Sequence, residues 1–197
     1  SARLNVYRKG SDSLLGRHVQ FRMHPFSLRE MERPDVPAPD AMLASLFSRA
    51  QTHQTAAEDR LSALMSFGPF PGPLFAQNTR RANIWRQGRE QLVIREDLRD
   101  LSRLPELGRI EMMTALLPER VGSPFSMASL GRDLEASIPT IQRWAAYLKD
   151  LYYLFEIRPY SRNIVRSLRR EGKIYLWDFG SITDRAARLE NLVALHL

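Results

Sequence analysis

Apolar residues recur along this chain mostly at helical spacing, and the clearest pattern lies between Ser123 and Asp178. Ser126 can cap a short helix whose Met127, Leu130 and Leu134 fall on one face. Glu135 and Ala136 make a turn. Ser137 then caps a longer helix with Pro139 in its first turn, where a missing N–H costs nothing. The inward face of that helix is Ile141, Trp144 or Ala145, Leu148, Leu151, Tyr152 and Phe155, which leaves Thr140, Gln142, Arg143, Ala146 and Lys149 outward. Leu154 to Pro159 and Lys173 to Asp178 are rich in aromatic and branched residues, as hairpin strands are. Short helix, turn, long helix and hairpin in that order predict a winged helix-turn-helix.

Elsewhere the pattern is also mainly helical. Val19, Phe21 and Met23 alternate with polar residues like a half-buried strand, and Ser27 with Glu30 forms a capping box that starts a helix. The prolines of RPDVPAPDAM make a linker or exposed loop. Helices are expected over Ala41 to Ala50 and Ala56 to Phe67, and irregular backbone at GPFPGP separates them from the next helix. Asn78 to Leu104 reads as one long arginine-rich helix, with Asp97 and Asp100 in register to pair with Arg95 or Arg103. Leu107 to Val121 reads as a helix that Gly122 ends. A last amphipathic helix, Ser181 to Leu197, has Leu189, Leu192, Val193 and Leu197 as its apolar face and no cap at its end.

Charge adds a candidate chemistry. The chain carries a net +7, with arginine outnumbering lysine 26 to 3, and such a balance favours contact with a polyanion. Arg162, Arg166, Arg169 and Arg170 cluster between the two expected strands, with Lys173 just after, where a wing can meet phosphates. Thr140, Gln142 and Arg143 occupy the part of the second helix that enters a major groove in helix-turn-helix proteins. These eight residues are the candidate DNA-binding set. Against that reading, Ser123 to Asp178 holds nine basic and six acidic residues, a modest excess.

Other chemistries find little support. The one Gly-Lys pair, Gly172-Lys173, has Ser167 where a P-loop needs its first glycine and Ile174 where it needs Ser or Thr. His18, His24, His53 and His196 lack metal-ligand spacing, cysteine is absent, and no Gly-x-Ser-x-Gly elbow occurs, so neither a catalytic residue nor a metal site is expected. Glu96, Asp97 and Asp100 read as a solvated, salt-bridged face, and Trp85, Trp144 and Trp177 as core or interface. The lack of cysteine fits a reducing compartment, and no run nears the ~20 apolar residues of a membrane span, so a cytoplasmic location and no membrane partner are expected.

The order of GSDSLLGRHVQFRMHPFSLREM, GPFPGP, REQLVIREDLRDLSRL, the stretch from ELGRIEMM to YSRN, KIYLWDFG and ARLENLVALHL resembles prokaryotic AAA-type ATPases. In those proteins an ATPase core is followed by a winged-helix region and a nuclease-like domain. The resemblance implies that residues 1–33 end an ATPase core, 34–104 form a helical linker region, 105–180 a winged-helix domain, and 181–197 the truncated start of a further domain. It also implies a nucleotide-binding role for Ser1 and Arg17, the latter as an arginine that can face nucleotide in its own or a neighbouring subunit. Glu190 would be a remote member of the nuclease-like site.

The fold class expected on both grounds is mainly α with small β: a helical bundle plus a winged helix-turn-helix, with a remnant of an α/β ATPase core at the N-terminus. Walker A and Walker B motifs are missing from these 197 residues, so ATP and Mg are expected for a parent protein and no turnover for this stretch alone. The expected role is to couple that core to double-stranded DNA or to a protein partner. A protein-interaction or self-association module and a DNA-binding transcription regulator are the alternatives.

Overall fold

A computed structural model describes residues 23–32, 54–97, 106–160 and 171–196. Its architecture is mainly helical with one small antiparallel sheet, as the sequence pattern predicts. The expected strand through Val19 and Phe21, the helix over Ala41 to Ala50, and the aspartate pairings of Asp97 and Asp100 lie outside the described residues or their described side chains.

The chain enters through α1 (Leu28–Glu32), which carries the expected capping box: the Ser27 N–H donates to Glu30 Oε2 at 2.8 Å and the Glu30 N–H returns to Ser27 Oγ at 3.2 Å. After α2 (Gln54–Phe67), the GPFPGP stretch departs from its expected irregularity. Pro71 occupies the first turn of α3 (Pro71–Ala76), where a proline is tolerated, and Gln77 ends it in the left-handed region at φ 43°. Asn78 caps α4 (Thr79–Gln91) by accepting from the Arg81 N–H. The long helix expected to run to Leu104 instead widens into a π-helical turn at Leu92–Asp97, and Arg95 pairs with Glu111 at 2.8 Å.

From α5 (Leu107–Leu116) the expected order appears in full. A 3-10 turn at Leu117–Arg120 comes next, and the chain reverses at Gly122, whose φ of 78° suits a residue without a side chain. Ser126 and Ser137 cap α6 (Met127–Asp133) and α7 (Ile138–Asp150) through the N–H groups of Ser129 and Thr140. Between these helices the backbone closes tightly. A Cβ on Gly131 would lie 2.7 Å from the Ala136 carbonyl oxygen, so a side chain at 131 would force the turn open. Strands β1 (Leu154–Ile157) and β2 (Lys173–Leu176) pair antiparallel with Leu154 opposite Leu176 and Ile157 opposite Lys173. Pro124 bridges Lys173, laying the segment before α6 against the hairpin.

Asp184 caps α8 (Arg185–Leu195). Its inward face differs from expectation: Leu189 and Val193 are exposed, while Asn191 is fully buried beside Leu192. Asn191 replaces a strand neighbour, accepting from the Leu176 N–H at 2.7 Å and donating to the Leu176 carbonyl at 2.8 Å. A buried amide is stable here because both of its polar ends are satisfied. Leu192 and Ala194 join one apolar core that also contains Leu64, Ile110, Leu130, Trp144 and Ile174, so α2, α5, α6, α7, β2 and α8 share an interior. Trp144, with no exposed surface, is its largest side chain.

Candidate nucleic-acid interface

Ile141, Trp144, Ala145 and Leu148 anchor α7 in the core, and that burial turns Gln142, Arg143 and Ala146 to solvent. Thr140, expected to face outward, is half-buried, and its hydroxyl lies 2.9 Å from Ser137 Oγ within the cap. Lys149 is also half-buried and is bound to Glu156, which meets Arg158 as well at 3.2 Å. Burial pushes the Glu156 carboxyl up, but Lys149 and Arg158 together hold it below the ordinary carboxylate range.

Among the described residues Arg143 makes one ion pair, from Nη2 to Glu106 Oε2 at 3.2 Å. The same oxygen accepts the Trp144 indole N–H at 3.0 Å. Two arginines not foreseen from the sequence join this surface. Arg109 on α5 donates to the Glu135 carbonyl at 3.2 Å, and Arg132, at the end of α6, is exposed with no ion pair among the described residues. Glu135 itself sits in the left-handed region at φ 49°, and its N–H bonds back to the Arg132 carbonyl. Arg109 thus reaches from α5 to the turn before α7, and Arg143 reaches from α7 to the head of α5, while Arg132 stands exposed where α6 ends. The spacing of Leu107, Ile110 and Met113 was the available signal, because burying that face leaves Arg109 and Met112 outward. An open depression of about 530 Å³ lies at the head of α5, lined by Glu106, Gly108, Arg109 and Met112.

Lys173 lies at the hairpin and donates to Glu190 Oε1 at 2.9 Å, an oxygen that also accepts the Tyr175 hydroxyl at 2.9 Å. The Lys173 hydrogen bond, helped by Tyr175 against the effect of burial, holds the Glu190 carboxyl below its ordinary range. Burial and the adjacent Glu190 push the Tyr175 hydroxyl up to about 12. Arg162, Arg166, Arg169 and Arg170, and likewise Ser1 and Arg17, lie outside the described residues.

A second charged cluster, buried and also missed, surrounds Asp178 where β2 leaves the sheet. Arg86 Nε lies 3.9 Å from Asp178 Oδ1, and the Gly180 N–H donates to that oxygen at 3.0 Å. The guanidiniums find further acceptors on the backbone: Arg86 on Phe67 at 2.9 Å, Arg89 on Tyr152 at 3.1 Å, and Arg188 on Met65 at 2.7 Å and on Ile182. Met65 and Phe67 end α2, where the helix dipole favours cations. Arg89 also stacks over the Phe70 ring at 4.6 Å. Burial pushes the Asp178 carboxyl above its ordinary range, while Arg89, Arg86 and the Gly180 N–H pull it down. These contacts tie α2, α4, β2 and α8 together.

Trp177 is buried beside Phe155, while Trp85 is half-buried against Phe70 at 5.1 Å. His24 meets the Trp177 ring edge-on at 5.1 Å, and His196 accepts the Leu28 N–H at 2.9 Å. Among the described residues no three His, Asp or Glu side chains group to hold a metal ion, and no helix is long and apolar enough to cross a membrane.

The molecule is thus a mainly helical protein whose helix, turn, helix and two-strand hairpin present an arginine-bearing face. It belongs to the family described as a domain of unknown function (DUF8612), whose model matches residues 58–190. It is similar to the uncharacterized protein Rv2008c of Mycobacterium tuberculosis and the uncharacterized protein Mb2031c of Mycobacterium bovis, with 27% identity over 128 residues in each case. That match covers 65% of this chain and 29% of the length of each mycobacterial protein. No solved structure matches the chain.

Proposed function

We propose that the module from α5 to β2 is a winged helix that binds double-stranded DNA, with α7 presented to the major groove and Arg109, Arg132 and Arg143 beside it. The observation that carries this reading is the placement of Arg109 against the turn before α7 and of Arg143 on the exposed face of α7, with Arg132 exposed at the end of α6. Among the described residues Arg143 is held only by a surface ion pair, and such pairs are worth about 0–1 kcal/mol, so a phosphate or a base edge can replace Glu106. The loop arginines Arg162, Arg166, Arg169 and Arg170 add a phosphate-contacting wing in this proposal. The resemblance to AAA-type ATPases extends it: the module couples a nucleotide-driven core of a longer protein, where ATP and Mg act, to the DNA.

Fluorescence anisotropy with a labelled duplex tests the binding. Affinity should fall steeply with salt and should drop when Arg162, Arg166, Arg169 and Arg170 are replaced by glutamine. Absence of binding at low salt, or binding indifferent to both changes, would reject it. A protein partner is the second reading, favoured by the exposed apolar side chains of Met112 and Ile138 on the same helices. A complex that survives high salt would mark that outcome.

A further inference from the structure

The position of Glu106 has no structural role of the usual kind for its place in the chain. It stands at the N-cap of α5, yet its side chain caps nothing. One carboxylate oxygen instead accepts from two donors of opposite character: the indole N–H of Trp144, at 3.0 Å, and the exposed guanidinium of Arg143, at 3.2 Å. Trp144 has no exposed surface, so its N–H needs a protein acceptor, and Glu106 supplies it. The carboxylate is therefore pinned from the core side. It cannot swing away when Arg143 leaves.

We propose that Glu106 is an internal competitor for the phosphate that Arg143 binds, a fixed anion that holds the guanidinium in the free protein and weakens non-specific attachment to duplex DNA. The inference rests on the DNA-binding reading above and adds to it a residue that sets the strength of duplex binding. When Arg143 turns to a phosphate, the Glu106 charge stays behind unpaired and close to the DNA backbone. Every binding mode that takes Arg143 to a phosphate carries that penalty, so the contact adds less than an unopposed arginine would. The other paired cations of this module differ. Asp133 meets Arg120 alone among the described residues, Glu156 is shared between two cations, and Glu190 on α8 bonds Lys173 and a tyrosine hydroxyl, so none of them joins a lone exposed arginine to a buried donor there.

Glu106→Gln separates the two duties of the side chain, since the amide oxygen still accepts from Trp144 while the charge is gone. The experiment measures binding of a mixed-sequence duplex to the whole 197-residue chain by anisotropy across a salt series, for the native protein, Glu106→Gln, Arg143→Met and the double variant. Retention of the Trp144 indole N–H resonance in Glu106→Gln shows that the core is intact. The expected result is roughly two- to five-fold tighter binding by Glu106→Gln, the scale of one exposed ion pair. Its plot of log affinity against log salt should steepen by up to about one, because no stranded carboxylate takes up a cation on binding. In the Arg143→Met background the same substitution should add nothing. Binding by the native chain that Glu106→Gln leaves unchanged, or an equal gain without Arg143, overturns the competitor role and spares the DNA reading. No binding by either the native chain or Glu106→Gln overturns both.

Discussion

Arg143 and Arg188 carry the same guanidinium into opposite settings. Around Arg188 the acceptors are main-chain carbonyls of Met65 and Ile182, fixed in place, with Asp178 close by and the side chain half-buried. Around Arg143 there is one carboxylate, half of the side chain is exposed, and solvent can take over. Burial turns an arginine into a brace, because every lost hydration contact must be replaced by a fixed partner. Exposure leaves it exchangeable, which is what a binding residue requires. Arginine content alone, and even arginine clustering, cannot separate the two.

That contrast can be broken most forcefully at its buried end. Asp178→Ala leaves Arg86 and Arg89 facing a cluster without its anion, and denaturant unfolding should register a loss of about 3–5 kcal/mol. A loss below about 1 kcal/mol would mean the carbonyls alone satisfy the arginines. Next come matched substitutions of the two arginines. Arg188→Met should cost about 1–2 kcal/mol, since partly buried carbonyls lose charged donors, whereas Arg143→Met should cost about 0.5 kcal/mol or less while weakening duplex binding. Equal costs would erase the distinction.

The smallest effect concerns acid. Glu190 titrates in the folded protein below its unfolded value of about 4.3, so its pairing with Lys173 stabilises at pH above that value. The contribution fades as pH falls through the lowered folded value. Both side chains are more than two-fifths exposed, so screening reduces it to a few tenths of a kcal/mol, about the scale of an exposed pair. The stability difference between the native protein and Lys173→Met should accordingly vanish in acid; a difference that persists below that window would assign it to packing of the lysine stem.

Local chemistry made the helix-turn-helix legible in the sequence. Ser126, Ser137 and Pro139 act within a few residues of themselves, and the spacing of Ile141, Trp144 and Leu148 fixes which face goes inward. Where side chains serve partners far along the chain, the sequence pattern misleads or falls silent. On α8 the apolar spacing favoured Leu189 and Val193, but the buried polar contacts of Arg188 with Met65 and of Asn191 with Leu176 set the rotation of the helix. Asp178 in KIYLWDFG gave no sign of its arginines because Arg86 lies some ninety positions earlier. Of the candidate DNA-contacting residues, Gln142 and Arg143 are exposed as expected, while Thr140 and Lys173 are occupied by Ser137 and Glu190. The reach of Arg109 to the turn before α7 becomes visible only when α5, α6 and α7 are assembled.

The close passage of Gly131 against Ala136 has a mechanical consequence. With no slack in that turn, α6 and α7 cannot pivot about it separately, and the Trp144 indole fastens α7 to the head of α5. Load applied to the outer face of α7 is therefore passed into the body of the molecule as a push on three helices at once, rather than being lost in a bending joint.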